Sequence, residues 1–152
     1  MTHSRPHPAG ILVVANRTCP CPMLLDEVAR RASDAPIDVL VVVPALNTRL
    51  RHWLSDIDAA VARAHDRLAV ALADLRTRGV MAHGEVGDAN PLVAIDDALA
   101  RFPASEIVIA TLPAGESNWL ERGLIDKARA RFDVPVTHLV STEPPIEERL
   151  AA

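Results

Sequence analysis

Residues 107–123 read IVIATLPAGESNWLERG, an apolar run followed by a loop and then by a segment with helical periodicity. A short β-rich run bounded by turn formers predicts a buried strand, and the spacing of apolar residues after the loop predicts a helix. A parallel strand that leads through glycine into a helix N-terminus is a common anion site, because free backbone N–H groups and the helix dipole point the same way. The stretch therefore predicts an α/β fold with a ligand site after this strand.

The same alternation of strands and helices runs along the whole chain. The predicted strands are Ile11–Ala15, Ile37–Val43, Val80–Val86, Glu106–Ala110 and Pro135–Val140. The predicted helices are Met23–Ala32, about Asp56–Arg78, Leu92–Phe102 and about Asn118–Phe132. Strands separated by helices imply a parallel sheet with right-handed crossovers and helices on both faces. We therefore expect a single doubly wound α/β domain over residues 10–141, with a flexible N-terminus (1–9) and a C-terminal tail (142–152).

Composition restricts the classes of function. The 152 residues are 49% hydrophobic but include only two Phe, two Trp and no Tyr. Val, Leu, Ile and Ala must therefore build the core, as suits a parallel sheet. The net charge is −4 and the basic residues are spread along the helices, which argues against a nucleic-acid partner. No apolar run approaches the ~20 residues of a membrane-spanning helix, and the N-terminus lacks the apolar core of a signal peptide. We expect a cytoplasmic protein without a membrane partner.

Two local signals mark helix ends. Asn90 followed by Pro91 predicts an N-cap before the third helix, since proline is favoured at the first helical position. Gly79 predicts the end of the long second helix, because glycine adopts the left-handed conformation that often terminates helices.

A ligand is expected beyond the carboxyl ends of the strands, where strand order reverses in open parallel sheets. The candidate residues of the first two strand ends are Ala15, Asn16 and Val43. The candidates in and after strand four are Ala110, Thr111, Gly115, Ser117, Asn118, Gly123 and Leu124. Ser117 either caps a helix or contacts a phosphate, because both roles use the same hydroxyl.

Other reactive residues do not form a recognisable centre. Cys19 and Cys21 precede the first helix, where the alternatives are reactive thiols, half of a zinc site, or a small residue at a helix start. Ligand partners at suitable spacing are missing from the sequence nearby, so we expect no metal site. None of the six histidines pairs with a nucleophile in a known motif, and we assign no catalytic residue.

Trp53 and Trp119 either close over a ligand or pack against protein, with packing favoured.

Two stretches resemble the universal stress protein family. They are Gly87–Ile95, which reads GDANPLVAI, and the pattern EIVIAT…G…VPVTHLV near the end of the chain. The resemblance covers nearly the whole sequence and implies five parallel strands in the order 3-2-1-4-5. One branch of that family binds ATP through a loop after strand four, patterned G-x2-G-x9-G-[S/T], and through an aspartate at the end of strand one. Another branch lacks the pattern and does not bind ATP.

This sequence keeps only part of the ATP pattern of that family. Ala110 and Pro113 stand at the first two glycine positions, Gly123 keeps the third, and Leu124 replaces the hydroxyl. Asn16 stands at the aspartate position, and Pro113 lacks the backbone N–H that would contact a phosphate.

Two functions are therefore open. The first is a non-enzymatic domain in stress response or regulation that acts through dimerisation and an unknown protein partner, with nucleotide binding altered or lost. The alternative is an adenine-nucleotide (ATP, with Mg) binding protein that uses the loop after strand four, and at most a slow ATPase.

The last predicted strand, residues 135–140, lies at the edge of the sheet in the order of that family. An uncovered apolar edge favours pairing with another strand, and Val136, His138 and Val140 share one face. We therefore expect a homodimer formed through this strand.

Overall fold

The computed structural model of the chain describes residues 8–15, 21–46, 54–115, 119 and 122–142. Nine elements alternate along these residues. They are β1 (Ala9–Val14), α1 (Pro22–Asp34), β2 (Ile37–Leu46), α2 (Leu54–Thr77), β3 (Ala82–Asp88), α3 (Pro91–Leu99), β4 (Glu106–Thr111), α4 (Leu124–Arg131) and β5 (Val136–Val140).

All strand pairs are parallel, and the strand order is β3-β2-β1-β4-β5. Strand β1 lies in the centre, pairing with β2 from Ala9↔Ile37 onward and with β4 from Ile11↔Glu106 onward. The predicted doubly wound sheet and its 3-2-1-4-5 order are therefore confirmed.

Alternate residues of the strands build two separate cores. Helices α1 and α2 cover one face, where they pack on β1 residues such as Ile11 and Val13. Helices α3 and α4 cover the other face, where they pack on Leu12 and Val14. This division follows from the two-residue period of a strand, which sends neighbouring side chains to opposite faces.

The third strand begins later than predicted because Val80 belongs to the end of helix α2. Gly79 has a left-handed backbone with φ +81°, and the Val80 N–H donates to the Leu75 carbonyl at 2.9 Å. These features form a Schellman motif, which satisfies a free carbonyl of the last helical turn. The predicted helix stop at Gly79 is confirmed, and the strand starts at Ala82.

The fourth predicted helix, from about Asn118, is interrupted at Gly123. Trp119 is helical, Asn118 lies outside the described residues, and α4 begins at Leu124. Gly123 precedes it with φ +68°, a left-handed conformation that interrupts a right-handed helix. The Gly123 carbonyl still accepts the first helical hydrogen bond from Lys127 N–H at 3.0 Å.

Helix α3 has the predicted start but ends sooner. The Asn90 side chain accepts a hydrogen bond from Leu92 N–H, and Pro91 is the first helical residue, so the N-cap is confirmed. The helix ends at Leu99 instead of Phe102, which lies in the turn before Pro103. Among the helices that the structure describes, none has the length and apolar character needed to cross a membrane.

Candidate functional site

The carboxyl ends of β1, β2 and β4 lie side by side. Three predicted site residues, Ala15, Ala110 and Thr111, lie at these ends, and Val43 lies three residues before the end of β2. Ala15, Val43 and Ala110 are buried in the core beneath α1 and α2. Thr111 is also buried, at the end of β4. Since their side chains fill the interior, Ala15, Val43 and Ala110 could touch a ligand only through their backbone atoms.

The remaining predicted site residues have mixed positions. Gly115 is exposed with φ +90°, and Gly123 is the left-handed residue before α4. Leu124 is buried in the core beneath α3 and α4. Asn16, Ser117 and Asn118 lie outside the described residues, as do Cys19 and Trp53.

An open groove of about 570 Å³ lies between the first turns of α3 and α4. Both helices follow a parallel strand and cover the same face of the sheet, so their N-termini meet at the same edge. The described residues that line the groove are Asp88, Ala89, Asn90, Pro91, Leu92, Val93, Trp119, Arg122, Leu124 and Lys127.

The α3 side of the groove is capped by the chain itself. One Asp88 carboxylate oxygen accepts a hydrogen bond from Asn90 N–H at 2.8 Å, and Asn90 Oδ1 accepts one from Leu92 N–H at 3.0 Å. Because these oxygens accept hydrogen bonds from N–H groups at the start of α3, those groups are not available to an anion. The negative charge of Asp88 also complements the positive end of the helix dipole.

The α4 side of the groove carries the positive charge. Arg122 and Lys127 are exposed, and neither forms an ion pair with any residue that the structure describes. Five other arginines do pair with carboxylates; they are Arg30, Arg31, Arg78, Arg101 and Arg131. The groove is therefore a place where cations remain available to an acidic group.

Trp119 fits both interpretations that its sequence position allowed. It is half-buried and packs against the core beneath α3 and α4, and it also lines the groove. Packing fixes the ring and leaves part of its surface open. An aromatic ring in this position can contribute apolar contact area to an occupant of the groove.

A polar pair joins the end of β4 to the edge strand β5. Thr111 Oγ1 and His138 Nε2 are 2.8 Å apart. Burial, and secondarily the positive charge of Arg129, lowers the pKa of His138 from its ordinary value. The lowered pKa favours the neutral imidazole, which can either donate to the threonine hydroxyl or accept from it, depending on the tautomer.

Cys21 lies apart from the groove. Its sulfur is buried 3.2 Å from Ser141 Oγ, at the start of α1 and just beyond the end of β5. This position agrees with a small residue at a helix start. No cluster of three or more metal-binding side chains occurs within the described part of the chain.

Sequence reasoning missed the polar and charged residues of the groove. Asp88 and Asn90 were recognised only as part of a family pattern and a helix cap, and Arg122 and Lys127 were not singled out. A usable signal was present, because the third and fourth crossovers of the predicted order place both helices on one face. Their first turns must then meet at the carboxyl edge of the sheet.

The fold defines the class to which the protein belongs. It is a doubly wound α/β domain with a central β1, two helices on each face, and its groove at the carboxyl ends of the strands.

Comparison with known proteins then narrows this class. No protein-family model and no curated protein sequence matches the chain. Among solved structures, a universal stress protein from Archaeoglobus fulgidus is similar, with a TM-score of 0.63 and 20% identity over 86% of this chain and 92% of that one. A protein from the universal stress protein family of Burkholderia pseudomallei is similar, with a TM-score of 0.59 and 21% identity over 86% of this chain and 95% of that one. The chain therefore has the universal stress protein fold, as its sequence pattern implied.

Proposed function

We propose that the protein is a non-enzymatic cytoplasmic domain of stress response or regulation, which acts as a homodimer and binds a partner protein. Its fold, shared with universal stress proteins, supports the assignment to stress response. The observation that carries the dimer is the outer edge of β5, the last strand in the sheet order, with which no strand of the described residues pairs.

The backbone of β5 is suited to pairing with a second copy. The Pro135 carbonyl and the Ser141 N–H bond to β4, at 2.8 Å each. Alternate residues of a parallel strand bond to opposite neighbours, so the backbone groups of Val136, His138 and Val140 face outward. The Val140 side chain is also 38% exposed. An exposed apolar side chain on a sheet edge favours pairing with another strand. The Val136 carbonyl already accepts a hydrogen bond from the Arg129 guanidinium at 3.3 Å. Pairing with β5 of a second chain would satisfy the outward backbone groups of His138 and Val140 and would cover the Val140 side chain.

The mass in solution tests the dimer. Light scattering at micromolar concentration is expected to give twice the mass of one chain. Val140→Lys is expected to shift this mass toward the monomer, because a charged side chain at a strand edge opposes pairing. Met81→Lys is the matched control, since Met81 is 72% exposed and lies outside β5, before the opposite edge strand. A monomeric wild-type protein would refute the dimer.

A second candidate function is adenine-nucleotide binding, with Mg, at the carboxyl edge of the sheet. The groove with its available Arg122 and Lys127 supports it. The altered loop opposes it, since Pro113 and Leu124 stand where the familiar pattern has glycine and a hydroxyl. The geometry therefore supports this candidate less well than the dimer.

Isothermal titration with ATP, with and without Mg, tests the second candidate. If the nucleotide binds through the loop, saturable heat is expected, and Gly123→Val is expected to abolish it. Gly79→Val is the matched control, because Gly79 has a similar positive φ (+81° against +68°) and similar open space, but lies at the far end of α2. Absence of heat, or equal loss in both variants, would rule out a nucleotide held by this loop.

A further inference from the structure

The groove between α3 and α4 combines an apolar surface with cations. Leu92, Val93 and Trp119 provide apolar side chains, while Arg122 and Lys127 lie on the α4 side. Val93 is 37% exposed, so apolar surface remains open to an occupant. An occupant that matches this chemistry needs apolar side chains next to carboxylates.

One segment of the chain has this chemistry. Residues 143–152 read EPPIEERLAA, in which Ile146 and Leu150 are apolar and Glu147 and Glu148 lie between them. With Glu143 and Arg149 included, the charge of the segment is −2, from three glutamates and one arginine. The cations of the groove and the carboxylates of the segment are therefore complementary.

The distances along the chain also allow the contact. The segment follows Thr142, two residues after the end of β5, and the groove opens at the same carboxyl edge of the sheet. Neighbouring strands lie about 4.8 Å apart, so even the far edge strand is roughly 19 Å away. Ten residues can extend to about 33 Å. The segment is thus long enough to reach any part of the groove.

We propose that the acidic, apolar segment 143–152 binds in the groove between α3 and α4 of its own chain. Its carboxylates pair with Arg122 and Lys127, and its apolar side chains cover Trp119 and Val93. Bound in this way, the segment competes with any anionic ligand for the same cations. The proposal does not depend on dimer formation.

Quenching of Trp119 fluorescence in the full chain tests this contact. The sequence has only two tryptophans, so Trp53→Phe leaves Trp119 as the single reporter. In this background, the double variant Glu147→Lys, Glu148→Lys is expected to make Trp119 more accessible to acrylamide, a neutral quencher. The double variant Arg122→Glu, Lys127→Glu is expected to do the same. Combining all four changes restores opposite charges and is expected to restore protection.

The controls separate this contact from general effects of charge. Arg63→Glu with Arg76→Glu changes two exposed arginines of α2, on the other face of the sheet, and is expected to leave quenching unchanged. High salt is expected to reduce protection in the wild type, since exposed ion pairs are screened. Unchanged quenching in the first two variants, or no restoration in the combined one, would overturn the proposal. Protection that grows with protein concentration would assign the contact to a second copy and would also overturn it.

Discussion

Leu12→Ala is expected to lower the free energy of unfolding by about 2–5 kcal/mol, the range found for large-to-small changes at buried leucines. Leu12 is fully buried in the central strand β1, where it belongs to the core beneath α3 and α4. Its neighbours in that core, Ile95 and Ile107, are also fully buried and come from α3 and β4. Removing the Leu12 side chain would leave a cavity between β1, α3 and β4, because the surrounding structure relaxes only partially.

Urea denaturation followed by circular dichroism measures the effect of Leu12→Ala. It should be recorded at several protein concentrations, because the proposed dimer would add a concentration-dependent contribution to apparent stability. Met81→Ala is the control, since its side chain is mostly exposed and the expected change is within about 0.5 kcal/mol. Similar losses in the two variants would contradict a central position for β1.

The fold was predictable because its signals are local and repeated. The apolar runs of β1, β2 and β4 are short and bounded by turn formers, and each is followed by a segment of helical period. Element ends were less predictable where one residue has a role in two elements. Val80 has the composition of a strand residue, but its N–H completes the cap of α2. Gly123 lies within a helical pattern, but its left-handed backbone starts a new helix.

The candidate site was predictable only in part, for a physical reason. The strand-end rule pointed to the carboxyl edge of the sheet, where the groove lies. It could not show that the side chains of Ala15, Val43 and Ala110 are buried in the core. The groove combines residues from two helices that are about 30 positions apart in the sequence, such as Asn90 and Arg122. Such a combination depends on packing angles, which no local pattern specifies.

The side-chain cations at this edge offer a way of binding an anion that differs from that of a glycine-rich loop. A glycine-rich loop binds phosphate through backbone N–H groups, whereas here Pro113 has none to offer. The available positive charge is instead on the side chains of Arg122 and Lys127, beside Trp119. Side-chain cations on an apolar surface suit an acidic peptide as well as a phosphate. The titration with ATP and the quenching of Trp119 fluorescence distinguish these two ligands.

Gly10→Ala is expected to destabilise the protein by about 1–3 kcal/mol or more, the cost of forcing an extra atom into a packed interior. A Cβ atom at Gly10 would lie 2.3 Å from the backbone carbonyl oxygen of Pro103, in the connection between α3 and β4. That connection cannot move away easily. Ser105 donates to the Gly10 carbonyl from its backbone N–H at 2.8 Å and from its hydroxyl at 3.1 Å.

Gly84→Ala is the matched comparison for Gly10→Ala, because it adds the same atom at a similarly short distance from a different kind of neighbour. The new Cβ would lie 2.5 Å from Leu68 Cδ1, the end of a side chain that can change its rotamer. The Pro103 carbonyl belongs instead to a backbone connection that Ser105 bonds to Gly10. Urea denaturation is expected to show the larger loss for Gly10→Ala. An equal or larger loss for Gly84→Ala would mean that the α3–β4 connection yields more readily than the α2–β3 packing, and that β1 is not held at its start by Ser105.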